Sequence, residues 1–192
     1  MLLITITAYI IIPVYTLLFA WGTDWFTTNF SVLGNLYGRK NIFLLWGIIV
    51  GTYFYCVLKR VICNLPRNEK EKAFSIAALL FLTFGVLTPY LPDAQPLQSV
   101  LHVVLSFMAS FSLLICLYMV IWKLYCMNQA EYQPYLICMM GITMISAVLL
   151  VISGIVSTAL EIFFILSCSA LLQKLYSKVS SPRLYFRWPE EL

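Results

Sequence analysis

The sequence predicts an all-α membrane protein, a polytopic helix bundle with six transmembrane helices and both termini in the cytoplasm. Three observations support this fold class. The chain is 62% hydrophobic and only 10% charged, whereas soluble globular domains carry roughly 25% charged residues. Apolar runs recur along the chain, and each is long enough to cross a bilayer as a helix of about 20 residues. Lysine and arginine collect on alternate connections between these runs, which is typical of cytoplasmic loops.

The predicted spans form a single integral membrane domain over residues 1-192, with a cytoplasmic tail at 177-192. Helices are expected because backbone polar groups in lipid must be bonded within the segment. The spans cover approximately residues 2-20, 41-58, 73-90, 97-122, 135-152 and 158-176. The last two share one apolar tract that is too long for a single crossing. We predict a turn at residues 153–157, where Gly154 stands between serines.

Basic residues predict the orientation of the spans. The side that holds both termini and the second-to-third and fourth-to-fifth loops carries ten lysines and arginines, and the other side carries two. The ten are Lys59, Arg60, Arg67, Lys70, Lys72, Lys123, Lys174, Lys178, Arg183 and Arg187, and the two are Arg39 and Lys40. Because cytoplasmic loops are rich in basic residues, we expect a multi-pass protein with both termini in the cytoplasm.

The composition also limits the kinds of partner. The net charge of +4 is explained by the cytoplasmic rim, which attracts anionic lipid headgroups, so no nucleic-acid partner is expected. The six cysteines form no CxxC pair and no ligand spacing with the single histidine. We therefore expect neither a metal site nor a cofactor.

The only histidine and three carboxylates are expected at the outer face. Asp24 and Asp93 lie in the first and second outer loops. His102 lies near the outer end of the fourth span, and Glu161 lies in the first turn of the sixth. Ionisable groups at membrane depth are costly, so such a histidine usually faces the bundle interior and is paired.

Two interpretations of this outer cluster stay open. Ser99, His102 and Ser106 share one helix face because three and four residues separate them. Small polar stripes let membrane helices pack closely, and His102 would then join helices through Asp93 or Glu161. Alternatively, His102, Asp93 and Glu161 are catalytic residues. His102 then acts as general acid or base, and Asp93 or Glu161 orients it. The candidate ligand-binding residues are Asp24, Ser31, Asn35, Ser99 and Ser106.

Three short elements resemble a known family. They are the S-x-L-G run Ser31-Val32-Leu33-Gly34, the pair Leu101-His102 that opens the fourth span, and Gly154 followed by Glu161. They are similar to elements of the six-helix Frag/DRAM/Sfk-like membrane proteins and their uncharacterised bacterial relatives. The chain departs from that pattern at Ile162, where an arginine would be expected. The resemblance implies six helices, cytoplasmic termini, an outer polar pocket and a role in lipid remodelling or distribution.

The sequence therefore predicts an integral membrane protein whose outer-facing polar pocket interacts with a lipid headgroup or a membrane partner. The first alternative is a membrane-embedded enzyme that acts on a lipid or isoprenoid through His/carboxylate acid–base chemistry. The second is a small transporter or channel subunit, which a continuous polar path would favour. Expected partners are membrane lipids, a lipid or isoprenoid ligand, and a protein partner or a second copy of the chain. Whether loop 21-40 re-enters the bilayer stays open.

Overall fold

The computed structural model describes residues 1–180, and within this range the regular elements are helices, without strands. The all-α class is therefore confirmed for this range. Residues 181–192, most of the predicted tail at 177-192, lie outside the described residues. The elements are α1 (Leu2–Ile6), a π-helical segment (Thr7–Ile11), α2 (Ile12–Phe19), α3 (Phe30–Asn35), α4 (Lys40–Ile62), α5 (Glu69–Leu87), α6 (Pro96–Met127), α7 (Gln129–Ser153) and α8 (Thr158–Val179).

Five helices within residues 1–180 have the length and apolar composition needed to cross a membrane, and they indicate a multi-pass membrane protein. They are Leu2–Phe19, Lys40–Ile62, Pro96–Met127, Gln129–Ser153 and Thr158–Val179. Helix α5 differs because its first turn is charged, with Glu69, Lys70, Glu71 and Lys72 in succession. Its apolar part begins only at Ala73.

The first span is one helical column with a local irregularity before a proline. Pro13 lies at the start of α2, directly after the π-helical segment Thr7–Ile11. Proline has no N–H to donate, and its ring crowds the carbonyl four residues earlier, here that of Tyr9. A π-helical turn widens the helix at that point, so the column continues through the proline.

The helices pack in an order that places α4 and α8 against each other. Helix α5 packs most extensively on α6 and also contacts α4. Helix α7 contacts α6 and α8, while the first span contacts α4 and α8. Between α4 and α8, the Tyr53 hydroxyl donates to the Ser169 carbonyl at 2.9 Å. The core therefore lies between α4, α8 and their neighbours.

The turn between α7 and α8 falls within the predicted segment. Helix α7 ends at Ser153, and Gly154 follows with φ 68°, in the left-handed region. Glycine adopts this conformation without a Cβ penalty, which makes it the usual residue after a helix C-terminus. The Ser157 side chain then accepts from the Leu160 N–H at 3.4 Å and caps α8.

A buried ion pair lies at the end of the bundle where α5 begins. The Lys123 Nζ atom lies 2.7 Å from Glu71 Oε1, and the Glu71 side chain is 2% exposed. Lys123 also donates to the Arg67 carbonyl at 2.8 Å. The second carboxylate oxygen of Glu71 has no hydrogen-bond partner within residues 1–180. The charge of Glu71 therefore depends on Lys123 for compensation.

Candidate functional site

The segment between α2 and α4 turns back into the bundle through α3. Phe30, Leu33 and Gly34 on this short helix are buried. The Phe30 ring packs edge-on against Phe19 and Trp46, with centroid distances of 5.2 and 5.0 Å. Such edge-to-face pairs stabilise beyond the area they bury. The aromatic contacts hold α3 at a fixed depth, and the polar residue beside Phe30, Ser31, is held with it.

Local sequence explains why α3 starts and where it can pack. Asn29 adopts an extended conformation, and its side chain accepts from the Val32 N–H at 2.9 Å, as an N-cap residue does. Gly34 permits close approach to α4, because a Cβ atom there would lie 2.8 Å from Phe43 Cγ. A larger residue at position 34 would push α3 away from α4.

The same loop is tied to α8 and to the end of α2. The Trp25 carbonyl accepts from the Ala159 N–H at 2.8 Å, and the Thr28 carbonyl accepts from the Thr158 N–H at 2.7 Å. These bonds satisfy N–H groups in the first turn of α8, which lack partners inside the helix. On the other side, Arg39 Nη1 donates to the Phe19 carbonyl at the end of α2, at 2.7 Å. The loop is therefore part of the packed bundle.

His102 lies in the second turn of α6, and its side chain is fully buried. Its Nδ1 atom lies 2.8 Å from the Thr88 carbonyl oxygen, and its Nε2 atom lies 2.6 Å from Ser31 Oγ. A carbonyl oxygen can only accept, so Nδ1 carries the proton. In the neutral ring Nε2 is then the acceptor, and the Ser31 hydroxyl donates to it.

The Thr88 carbonyl is available because α5 ends just before it. Thr88 precedes Pro89, and a residue before proline is disfavoured in the helical region. Thr88 accordingly has φ −76° and ψ 126°, an extended conformation. Its carbonyl points off the helix and meets the imidazole of α6. The end of α5 before Pro89 thereby makes the Thr88 carbonyl available to His102 Nδ1.

Glu161 approaches the same segment from α8. Its Oε2 atom accepts from the Phe30 N–H at 2.7 Å. Neighbouring residues of α3 are thus held from two helices, Phe30 by Glu161 and Ser31 by His102. The bond from the Phe30 N–H to Glu161 thus holds the start of α3 against α8.

A cavity of about 110 Å³ lies beside this cluster, between α4, α5, α6 and α8. Ser31, Ser106 and Glu161 contribute polar atoms to its wall. Most of the remaining wall is apolar, including Trp46, Val50, Phe54, Leu82, Leu113 and Phe164. The wall also includes Ser75, Ser110 and Tyr55, so the cavity is mostly apolar and its hydroxyl groups are not confined to the end beside α3.

The structure brings Ser31, Ser106 and Glu161 to the cavity wall, with His102 bonded to Ser31, and it leaves two predicted carboxylates, Asp24 and Asp93, exposed elsewhere. Asp93 is exposed in the loop between α5 and α6. Both nitrogens of His102 are occupied by Thr88 and Ser31. Asp93 and Glu161 are therefore not the groups that orient His102, because the Thr88 carbonyl takes that position.

The remaining predicted residues support local structure. Asp24 Oδ1 accepts from the Phe26 N–H at 2.8 Å and closes a turn. The Asn35 amide donates to the Ser31 carbonyl at 3.0 Å. Ser99 is buried; its hydroxyl donates to the Gln95 carbonyl at 3.1 Å and accepts from the Leu91 N–H at 2.9 Å. These bonds give each of the three residues a role in local structure, and their role as ligand-binding residues stays a prediction.

Sequence reasoning missed the two backbone groups of the site. The Thr88 carbonyl and the Phe30 N–H carry no side-chain signature, although Pro89 marks the end of α5. It also missed the apolar wall, because Trp46 and Phe54 read only as part of a long apolar run. Within residues 1–180, three or more histidine, cysteine or acidic side chains nowhere converge as a metal site would need.

Comparison of the chain with protein-family models, with curated proteins and with solved structures finds no match.

Proposed function

We propose that this chain is a six-span integral membrane protein, with both termini in the cytoplasm, that binds a lipid between its helices at the outer leaflet. Arg39 and Lys40 are the basic residues at the α3 end, while Lys59, Arg60 and Lys123 lie at the other end of their helices. Basic residues favour the cytoplasmic side. The α3 end, with its polar cluster, is then the outer end.

The observation that carries this proposal is the distribution of polar and apolar groups around the cavity. A lipid has a polar end and a hydrocarbon part. The hydroxyls of Ser31 and Ser106 can bind the polar end, and the side chains of Val50, Phe54 and Leu113 can contact the hydrocarbon part. Ligand sites are typically apolar with a few well-placed polar groups.

The size of the cavity restricts what it can enclose. Its volume of about 110 Å³ is smaller than that of an engineered cavity of about 150 Å³ that admits benzene. It therefore holds the part of a chain next to the headgroup, and the rest of the chain extends between helices into the bilayer. The apolar wall favours a lipid over a hydrophilic solute, and so it favours lipid binding over transport of small polar molecules.

The test uses Trp46, which lines the cavity and is 5% exposed. The other tryptophans are replaced by phenylalanine, and the protein is titrated in detergent with phosphatidylcholine that carries brominated acyl chains. Bromine quenches tryptophan fluorescence only at short range, and the bundle shields Trp46 from lipids on its outer surface. We expect saturable quenching of Trp46, because a bound chain lies against its ring.

Two leucine substitutions distinguish lipid binding in the cavity from non-specific contact of lipid with the protein surface. Ala109 lines the cavity and is buried, so Ala109→Leu fills the space and should abolish the quenching. Ala147 is exposed on α7, so Ala147→Leu adds the same atoms away from the cavity and should leave the quenching unchanged. Quenching that is absent, or that is equal in the Ala109→Leu and parent proteins, would refute lipid binding in this cavity.

A further inference from the structure

We propose that the Ser31 hydroxyl is a nucleophile, activated by His102, that cleaves the ester bond of an acyl lipid bound in the cavity. This inference rests on the proposed lipid binding and assigns a reaction to the same site. The Ser31 Oγ to His102 Nε2 distance of 2.6 Å is within the range of a serine nucleophile and its base. Substrate class and reaction both follow from the position of this pair at the wall of an apolar cavity.

The base is oriented as such chemistry requires. A serine nucleophile needs a neutral imidazole whose unprotonated nitrogen faces the hydroxyl, and a third group must hold the other nitrogen. The Thr88 carbonyl accepts from Nδ1 at 2.8 Å and leaves Nε2 free to receive the proton of Ser31. Thr88 is a positioning residue here. It performs through its backbone the orienting role that a carboxylate fills in many serine enzymes.

The nucleophile is also accessible, while its base is protected. Ser31 is only partly buried and contributes to the cavity wall, whereas His102 is fully buried behind it. An ester carbonyl in the cavity would therefore meet Ser31 Oγ. Ser106 lies one helical turn beyond His102 on α6 and lines the same cavity. We assign its hydroxyl as a donor for the oxyanion that forms on the carbonyl oxygen.

The proposed reaction needs water as its only co-reactant. The Ser31 proton passes to His102 Nε2 while Oγ forms a bond to the acyl carbon. The bond between the acyl carbon and the alcohol oxygen of the lipid then breaks, and the alcohol leaves with the proton from Nε2. Water attacks the acyl-serine and gives one proton to Nε2. The bond from Ser31 Oγ to the acyl carbon breaks, Oγ regains the proton, and a fatty acid is released.

The test is covalent labelling of the full-length protein in detergent with an alkyl fluorophosphonate, a probe that reacts with activated serines. Mass spectrometry of the digested wild-type protein identifies the modified residue. We expect one adduct, on Ser31. His102→Asn should slow its formation by about 10²- to 10⁴-fold, the usual contribution of a general base. The matched control is Ser146→Ala on α7, which should label like the wild type.

The outcomes separate this inference from the proposed lipid binding. Labelling of Ser31 that requires His102 supports a nucleophile. If folded wild-type protein shows Trp46 quenching by brominated lipid but no adduct on Ser31, the nucleophile is refuted and lipid binding stands. If neither signal appears, both proposals fail. Because the labelling site is read in the wild-type chain, the refuting result does not depend on whether a variant folds.

Discussion

Replacement of Lys123 by methionine should destabilise the protein strongly, because it leaves the Glu71 carboxylate buried without its counter-charge. Glu71 is 2% exposed, and Lys123 Nζ lies 2.7 Å from one of its oxygens. The other oxygen has no hydrogen-bond partner within the described residues. Helix α5, which carries Glu71, also contributes Leu82 to the cavity wall, so the loss is expected to spread to the site.

The size of the effect follows from the burial of both partners. Removal of one member of a buried ion pair costs about 3–5 kcal/mol. Lys123 is 30% exposed, so water already weakens the pair, and we expect the lower value of about 3 kcal/mol. For a chain of this size, each kcal/mol shifts Tm by about 2–4 °C. The expected decrease in Tm is therefore about 6–12 °C.

The assay is thermal unfolding of the purified protein in detergent, with two comparison proteins. Lys72→Met is the matched control: Lys72 pairs with Glu69 at 3.2 Å, but both side chains are exposed. Exposed pairs contribute about 0–1 kcal/mol, so its Tm should change by less than about 4 °C. The double variant Glu71→Leu/Lys123→Met removes both charges, and its Tm should recover to near that of the wild type.

Two results would contradict this reasoning. Equal Tm values for Lys123→Met and Lys72→Met would mean that the carboxylate of Glu71 carries no charge that needs compensation. A double variant no more stable than Lys123→Met alone would mean that the lysine acts through its contact with the Arg67 carbonyl. The double variant therefore isolates the charge interaction from the packing of the lysine side chain.

Three further predictions concern the site. Gly34→Ala should lower Tm by about 2–12 °C, since forcing a methyl group into a packed contact costs about 1–3 kcal/mol. The control is Gly141→Ala, whose Cβ would meet no atom within 4 Å and which should not lower Tm. A decrease in Gly141→Ala as large as that in Gly34→Ala would refute the close-packing argument. Asp93→Asn should leave Tm within about 2 °C, since exposed substitutions change stability by about 0.5 kcal/mol or less; a larger decrease would mean that Asp93 pairs with a buried group. The chain has a single histidine, so ¹⁵N-histidine NMR in micelles should give the signals of one Nδ1-protonated neutral ring, and an Nε2-protonated ring would contradict the bond to Thr88.

The long helices were predictable from sequence because each contains a long apolar run, and the α7–α8 turn was predictable because Gly154 lies between Ser153 and Ser157. The depth of α3 was not, since six residues with two polar side chains give no periodic signal. Its position comes from contacts with Phe19, Trp46 and Phe43 on other helices. Local sequence carries no trace of such contacts.

The candidate site was predictable only in part, for a chemical reason. His102, Ser31, Ser106 and Glu161 were identifiable because polar side chains are rare in so apolar a chain. Their pairing was not, because the partner of His102 Nδ1 and the partner of Glu161 are backbone groups. Every residue has such groups, so composition favours none of them. A carboxylate was the group expected to orient the histidine, but the Thr88 carbonyl at the C-terminal end of α5 takes that position.

The anchoring of α3 from two later helices also bears on how the protein is made. Phe30 is held by a residue 131 positions further along the chain, and Ser31 by one 71 positions further. At a synthesis rate of about 5–20 residues per second, the glutamate emerges roughly 7–26 s after the phenylalanine. For about the first half of that interval the α3 segment exists without either of its anchors, and for the rest it lacks the one from α8. The last helix to be inserted is thus the one that completes the first loop, and a nascent chain arrested before α8 would contain the serine and the histidine without a finished site.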